Sequence, residues 1–250
     1  GGRAVFGITG IKDIRAILKL YNDRGVPVRF TWTNSLLEEK HIYDTYCNLI
    51  MKEADNGMNQ VLVNRPVLEE YIRRQYPGFK LISSTTKRIT GLDGLLEELN
   101  KDYFLVVLDY DLNHNEEVLS AIGKQADKVE ILVNEICYPG CPKRSEHYRQ
   151  QSQMQLEYDI DTAFPCPNKT RERKFEECKE RPSFISREQI REYVDRGFVN
   201  FKIVGRGMPM DFVKESYLYY LVKDDSRAFI RNKMESTLNQ FAQAMKKRKA

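Results

Sequence analysis

The chain has 250 residues, 41% hydrophobic and 30% charged, the balance of a soluble globular protein and not of a fibrous or disordered one. Its 40 basic and 36 acidic residues leave a net charge of +4, too even to imply nucleic-acid binding by itself. No apolar run approaches the ~18 residues of a membrane span, and five cysteines in a chain of this length are not a disulfide scaffold. With no secretory signal in view, the expected setting is a reducing cytoplasm, away from the membrane.

The chain opens "GGRAVFG" without a methionine, so what precedes Gly1 stays open; "RAVFG" is a candidate strand. From there two patterns alternate. Short β-rich runs stand at 26–32, 60–64, 79–85, 103–110, 129–134 and 199–205. Helix-like stretches lie between them. "SLLEEKHIYDTYCNLIMKEADNG" has Ser35 as its expected cap and Gly57 as its stop, and "RPVLEEYIRRQYPG" carries Pro66 in its first turn. "GLDGLLEELNKD" and "NEEVLSAIGKQAD" follow the same scheme. Strands alternating with helices of this length predict βαβ units and a parallel sheet. The strands are nearly continuous apolar runs, as expected where helices cover the sheet.

One interval breaks the rhythm. About 70 residues separate Val129 from Val199, where a βα unit needs about 30. The excess, residues 134–183, is polar, holds four of the five cysteines and follows a strand directly, which is where parallel α/β folds build their sites. "SREQIREYVDRG" then has capping-box spacing at Ser186 and Gln189, and two helices follow the last strand. The basic end "AMKKRKA" reads as solvated. The prediction is a single α/β domain over 1–250, TIM-barrel-like. Within it, 134–183 is a cysteine-bearing insert and 224–250 a C-terminal helix. Six strands and one candidate leave an eight-stranded barrel incomplete, or with a strand upstream of Gly1. A doubly wound open sheet is the alternative.

The insert begins "NEICYPGCPKRSEHY". Cys137-x3-Cys141, Cys166 and Cys178 are four soft ligands in one irregular segment stiffened by prolines, a set that suits a tetrahedral zinc or an iron–sulfur cluster. Their spacing is neither that of a zinc ribbon nor that of a ferredoxin. A nucleophilic cysteine would need a base, and His147 beside Glu146 lies six residues after Cys141. Four cysteines fit ligation better than attack. Polar residues close successive strands at Asn34, Asn64, Ser84, Thr86, Asp109, Asn134 and Glu135, so they face one end of the sheet. There they can bind a polar organic substrate, with Asp109 the best acid, base or hydrogen-bond anchor. In "FKIVGRG", Lys202 falls inside an apolar strand and Arg206 follows a glycine turn; an inward lysine must be paired or functional.

"LVNEICYPGCPKRSEHY" followed by "DRGFVNFKIVGR" resembles the peptidase U32, or collagenase-like, family. That family has an asparagine and cysteine motif after a barrel strand and a later glycine, hydrophobic, Lys-Ile-Glu-Gly-Arg signature. Here the signature reads Gly197, Phe201, Lys202, Ile203, Val204, Gly205 and Arg206, with Val204 in place of the glutamate. The match spans roughly 58–223. The resemblance implies a TIM-barrel-like fold and two kinds of activity. One is oxygen-independent hydroxylation of a small organic or RNA substrate, in some members beside a partner subunit; the other is the inherited peptidase activity. It implies a [4Fe–4S] cluster on Cys137, Cys141, Cys166 and Cys178, with zinc as the alternative; a non-catalytic, zinc-stabilised binding module is the remaining reading of the four cysteines. The catalytic candidates are then Asp109, Glu135, His147, Lys202 and Arg206, and the substrate-binding candidates Asn64, Ser84, Asn134 and Arg144.

Overall fold

The computed structural model describes residues 9–159, 162–166 and 173–247, so the candidate strand at 3–7 lies outside the described residues. Six strands form one sheet: β1 (Arg29–Trp32), β2 (Gln60–Val63), β3 (Lys80–Ser83), β4 (Leu105–Val107), β5 (Val129–Leu132) and β6 (Asn200–Lys202). They stand in sequence order and every neighbouring pair is parallel. A doubly wound sheet reverses its strand order at a switch point. This one does not, so the architecture is an α/β, partial-barrel sheet.

Each predicted strand run contains one observed strand, shorter than the run. The helices are α1 (Ile11–Asn22) ahead of the sheet, α2 (Thr45–Ala54), α3 (Pro66–Gln75), α4 (Leu92–Leu99) and α5 (Glu116–Ile122) between successive strands. Then α6 (Arg144–Glu157), α7 (Phe175–Lys179) and α8 (Arg187–Asp195) lie between β5 and β6, and α9 (Met210–Leu221) and α10 (Arg227–Lys247) follow. The long helix expected from Ser35 divides in two. A 3-10 turn at Glu39–His41 closes its own capping box with Glu38 and His41, and α2 starts afresh where Asp44 accepts from the Cys47 amide. A second local cap won over the continuous apolar pattern. Ser186 and Gln189 do form the expected capping box at α8.

Side chains alternate across each strand, which gives the sheet two faces. Val61, Val63, Leu81, Val106, Leu108, Ile131 and Val133 pack outward against Leu68, Ile72, Leu95, Leu99 and Ile122 of the helices. Leu62, Ile82, Leu105, Val107, Leu132 and Val204 form a second apolar cluster on the inner face. Charge sits below that cluster. Arg29 on β1 donates to Gln60 at 2.8 Å and also pairs with Glu130 on β5, reaching across the inner face, and Lys202 on β6 is 3.7 Å from Glu130. The ends of the sheet are thus tied through its interior as well as through its ladder.

On the outer side Glu98 is 3% exposed and accepts from Ser83, Lys87 and Lys101. Burial alone would raise its pKa. The bonds from Lys101, Lys87 and Ser83 outweigh burial and hold the carboxyl at about 2. Because the folded value lies below the unfolded one, this stability is complete above about pH 4.5 and is lost as pH falls towards 2. Acid titration of the unfolding free energy is expected to fall steeply over that window in the wild type and to flatten in Glu98→Gln. Equal slopes in the two proteins would contradict the assignment.

Candidate active site at the C-terminal ends of the strands

The residues that follow the strands converge on one end of the sheet. After β2, Asn64 donates to Thr86 at 2.9 Å, and Thr86 lies 3.0 Å from Ser84 after β3. After β4, Asp109 caps a short 3-10 turn by accepting from the Asp111 amide at 3.0 Å. After β5, the Asn134 side chain behaves as extra backbone. It donates to the Val204 carbonyl at 3.1 Å and accepts from the Val204 amide at 2.6 Å, which prolongs the β5–β6 pairing past the last ladder residues. It also donates to Ser216 on α9. Val204 itself is 7% exposed in the apolar inner cluster, an environment that suits valine where the resemblance expects glutamate.

Four charges hold the centre of this end. Arg88 reaches Asp109 at 2.5 Å and Asp111 at 2.9 Å, while Arg144 reaches Asp111 at 2.8 Å and lies 3.6 Å from Asp109. Arg144 and Asp109 are 1% and 2% exposed. The Arg144 guanidinium lies 4.0 Å over the Tyr110 ring and also donates to the Tyr138 carbonyl. Arg88 adopts a left-handed backbone at φ 58°, uncommon for a side chain of this size and a local strain that the two carboxylates retain. Burial raises the Asp109 pKa against the Asp111 amide and the Arg88 guanidinium, so this carboxyl holds a proton more readily than an exposed aspartate. Burial also works on Asp111, but the bonds from Arg144 and Arg88 win and lower it. The two carboxyls, two residues apart, are pushed in opposite directions, an arrangement that separates a proton donor from a fixed anion.

The cysteine loop lies against this network. Glu135 accepts from the amides of Ile136 and Cys137 at 2.9 and 3.1 Å. Tyr110 neighbours both the Cys137 thiol and Tyr148, and burial pushes the Cys137 thiol up, with Glu135 adding to the rise. His147 stacks on Phe164 with centroids 4.4 Å apart, and its ring nitrogen lies 3.1 Å from Gln151. Arg181, 5% exposed, lies 3.9 Å over Tyr138. Lys202 belongs to the inner face instead: burial lowers its pKa, Glu130 opposes this, and Arg29 and Arg206 add to it.

Cys137 and Cys141 are half-buried and close enough to influence one another; Cys166 is half-buried at the edge of the described residues. Cys178 is fully buried among Phe175 and Phe212, with its thiol donating to the Asn134 carbonyl at 3.3 Å. Among the described residues no group of three or more His, Cys, Asp or Glu side chains is arranged to hold a metal ion. The thiols have the chemistry for a soft metal. Arg88, Tyr110, Asp111 and Tyr148 are the members of the site that sequence reasoning missed. Asp111 stands in the same "DYD" as Asp109 and was the most legible of them.

A solved structure, that of the U32 peptidase Mk0906, matches this chain at a TM-score of 0.56 and 18% identity, over 83% of this chain and 81% of that one. The fold is that of a U32 peptidase. The U32 resemblance carried by residues 134–148 and 197–206 stands with it. The chain is also 27% identical over 184 residues to an uncharacterized protease of Methanocaldococcus jannaschii, taking in 71% of this chain and 54% of the relative. It therefore spans about half the length of the curated relative it matches. No family model matches the chain. No helix of the described residues is long and apolar enough to cross a membrane.

The charge network makes a direct prediction. Arg144→Met leaves the buried Asp109 and the half-buried Asp111 with one guanidinium between them, and chemical denaturation is expected to show a loss of about 3–5 kcal/mol. A loss below about 1 kcal/mol, the range of an exposed pair, would contradict the buried network.

Proposed function

We propose that the chain is a U32-type enzyme that modifies a polar organic or RNA substrate at the C-terminal ends of its strands, by oxygen-independent hydroxylation or a related step. The observation that carries this reading is the compensated set of buried Asp109 and Arg144 with half-buried Arg88 and Asp111, at the strand ends where this architecture places its chemistry. Asp109, its pKa raised, serves as the proton donor or acceptor; Arg144, Asn64 and Ser84 orient the substrate; Asn134 holds the strand ends in register. Glu135 positions the cysteine loop. His147, Lys202 and Arg206 enter as further candidates, with Lys202 acting from the inner face. A partner subunit and a cytoplasmic setting belong to the same proposal.

A [4Fe–4S] cluster on Cys137, Cys141, Cys166 and Cys178, with zinc as the alternative, is the cofactor this reading expects; when bound it supplies electron transfer. Anaerobic purification followed by metal and sulfide analysis tests the point. Stoichiometric iron and acid-labile sulfide, lost in Cys137→Ser, are expected; zinc held by the same cysteines would overturn the cluster.

Peptide hydrolysis is the second reading, supported by the protease description of the curated relative. The Cys137 thiol is raised where a cysteine nucleophile needs a lowered pKa. A peptide pool is therefore expected to stay intact, and cleavage that disappears in Asp109→Asn or Cys137→Ser would favour this second reading.

A further inference from the structure

A cavity of about 430 Å³ opens beside the ends of β1 and β2. Arg65, which follows Asn64 at the β2 end, lines it together with Glu38, Lys40 and His41 at the 3-10 turn after β1. Gln153 and Glu157 contribute from α6. Arg88, Asp109, Asp111 and Arg144 do not line it, so it is a separate feature of the same end of the sheet.

One peptide unit orients two of its donors. The Leu37 carbonyl accepts from Arg65 Nε at 3.3 Å, and the Glu38 amide, the other half of that peptide, donates to His41 Nδ1 at 2.9 Å. A backbone N–H can only donate, so Nδ1 is the bare ring nitrogen and Nε2 carries the hydrogen. The Nε bond uses one of the guanidinium hydrogens and leaves the Nη1 and Nη2 fork of Arg65 open. Among the described residues neither that fork nor His41 Nε2 has a hydrogen-bond partner. The neighbouring carboxylates are engaged elsewhere: Glu38 reaches Lys40 at 2.8 Å, and Glu157 accepts from Gln153 at 2.9 Å. The Lys40 bond lowers the Glu38 pKa, with His41 and Arg65 adding to the fall. Lys40 thus cancels Glu38, and Arg65 is the cation left with hydrogens to give.

We infer that this cavity binds a ligand bearing a singly charged oxyanion and, a few atoms away, a neutral acceptor oxygen: the oxyanion on the Arg65 fork and the neutral oxygen on His41 Nε2–H. A carboxylate or a phosphodiester presents two oxygens at the spacing of a guanidinium fork. Two groups are needed because the C=O and N–H of a trans peptide point to opposite sides, which sets the two donors apart. The charge is single because Glu38 and Glu157 in the walls oppose a second one. Two sources carry this chemistry: a small acid with a carbonyl or hydroxyl close to its carboxylate, and the phosphodiester of RNA beside its ribose oxygens. The inference concerns binding alone. It does not rest on catalysis at the strand ends, and its readouts need neither turnover nor metal.

Nitrogen-15 NMR of the full chain reads both donors, through the His41 ring and the Arg65 Nε–H. N-acetylglycine stands for the small acid and the dinucleotide UpU for RNA; N-acetylglycinamide is the uncharged control. At least one of the two anions is expected to shift both donors saturably in the millimolar range, and the tighter of the two names the source. The control should bind about tenfold more weakly than N-acetylglycine, and Arg65→Gln should weaken the tighter anion by about tenfold, the loss of one charge-assisted hydrogen bond. The Arg65 side chain is exposed and its carbonyl, which starts α3, is unchanged by the substitution, so the variant should melt as the wild type does. The comparison of acid with amide needs no variant and decides the matter on the wild type. No saturable shift with either anion, a control that binds as well as N-acetylglycine, or wild-type affinity in a folded Arg65→Gln would overturn the proposal.

Discussion

Arg144 opens a helix that has no apolar face, and it is 1% exposed. A guanidinium so placed must be paired, because an uncompensated buried charge costs several kcal/mol. Asp111 and Asp109 compensate it, Tyr110 lies under it, and Arg88 balances the second carboxylate from a backbone conformation that few arginines adopt. Everything at the mouth of the sheet takes its position from these four charges. They set the 3-10 turn after β4, the start of α6, and the side of the cysteine loop that meets Tyr110. The same balance keeps the site nearly neutral, so proton affinity there is decided by burial and by the direction of individual bonds.

The inner face repeats this logic at its other end. Arg29, Gln60, Glu130 and Lys202 lie below a band of six apolar side chains, and the charges at the mouth lie above it. The sheet is open between β6 and β1 among the described residues, and the pair formed by Arg29 and Glu130 spans its inner face. Lys202 therefore has a structural partner whatever else it does. An inward lysine is expensive without one, and burial, by lowering its pKa against the pull of Glu130, shows that cost.

Much of the fold was legible because its signals were periodic. Apolar runs marked all six strands, Pro66 marked the first turn of α3, and Ser186 with Gln189 marked α8. The stretch from Ser35 to Gly57 misled because an apolar pattern cannot reveal that Asp44 restarts the helix. In the site, Asp109 was legible from its place after an apolar strand. Arg88 was not: "TTKRIT" gives no sign of a left-handed arginine, and its partners lie more than twenty residues away. Asn134 was visible as a strand-end amide, but its service as a surrogate backbone group depends on β6 arriving seventy residues later. Cys178 was read with the other cysteines; its buried thiol on the Asn134 carbonyl is a matter of packing that spacing does not encode.

The dependence of the mouth on one guanidinium is open to a double-mutant cycle between Arg144 and Asp111. Unfolding free energies of Arg144→Met, Asp111→Asn and the double variant should be non-additive by about 1–3 kcal/mol, since each change strands the partner of the other. Additivity within about 0.5 kcal/mol would mean that the two side chains act independently, and would contradict the account of how the mouth is built.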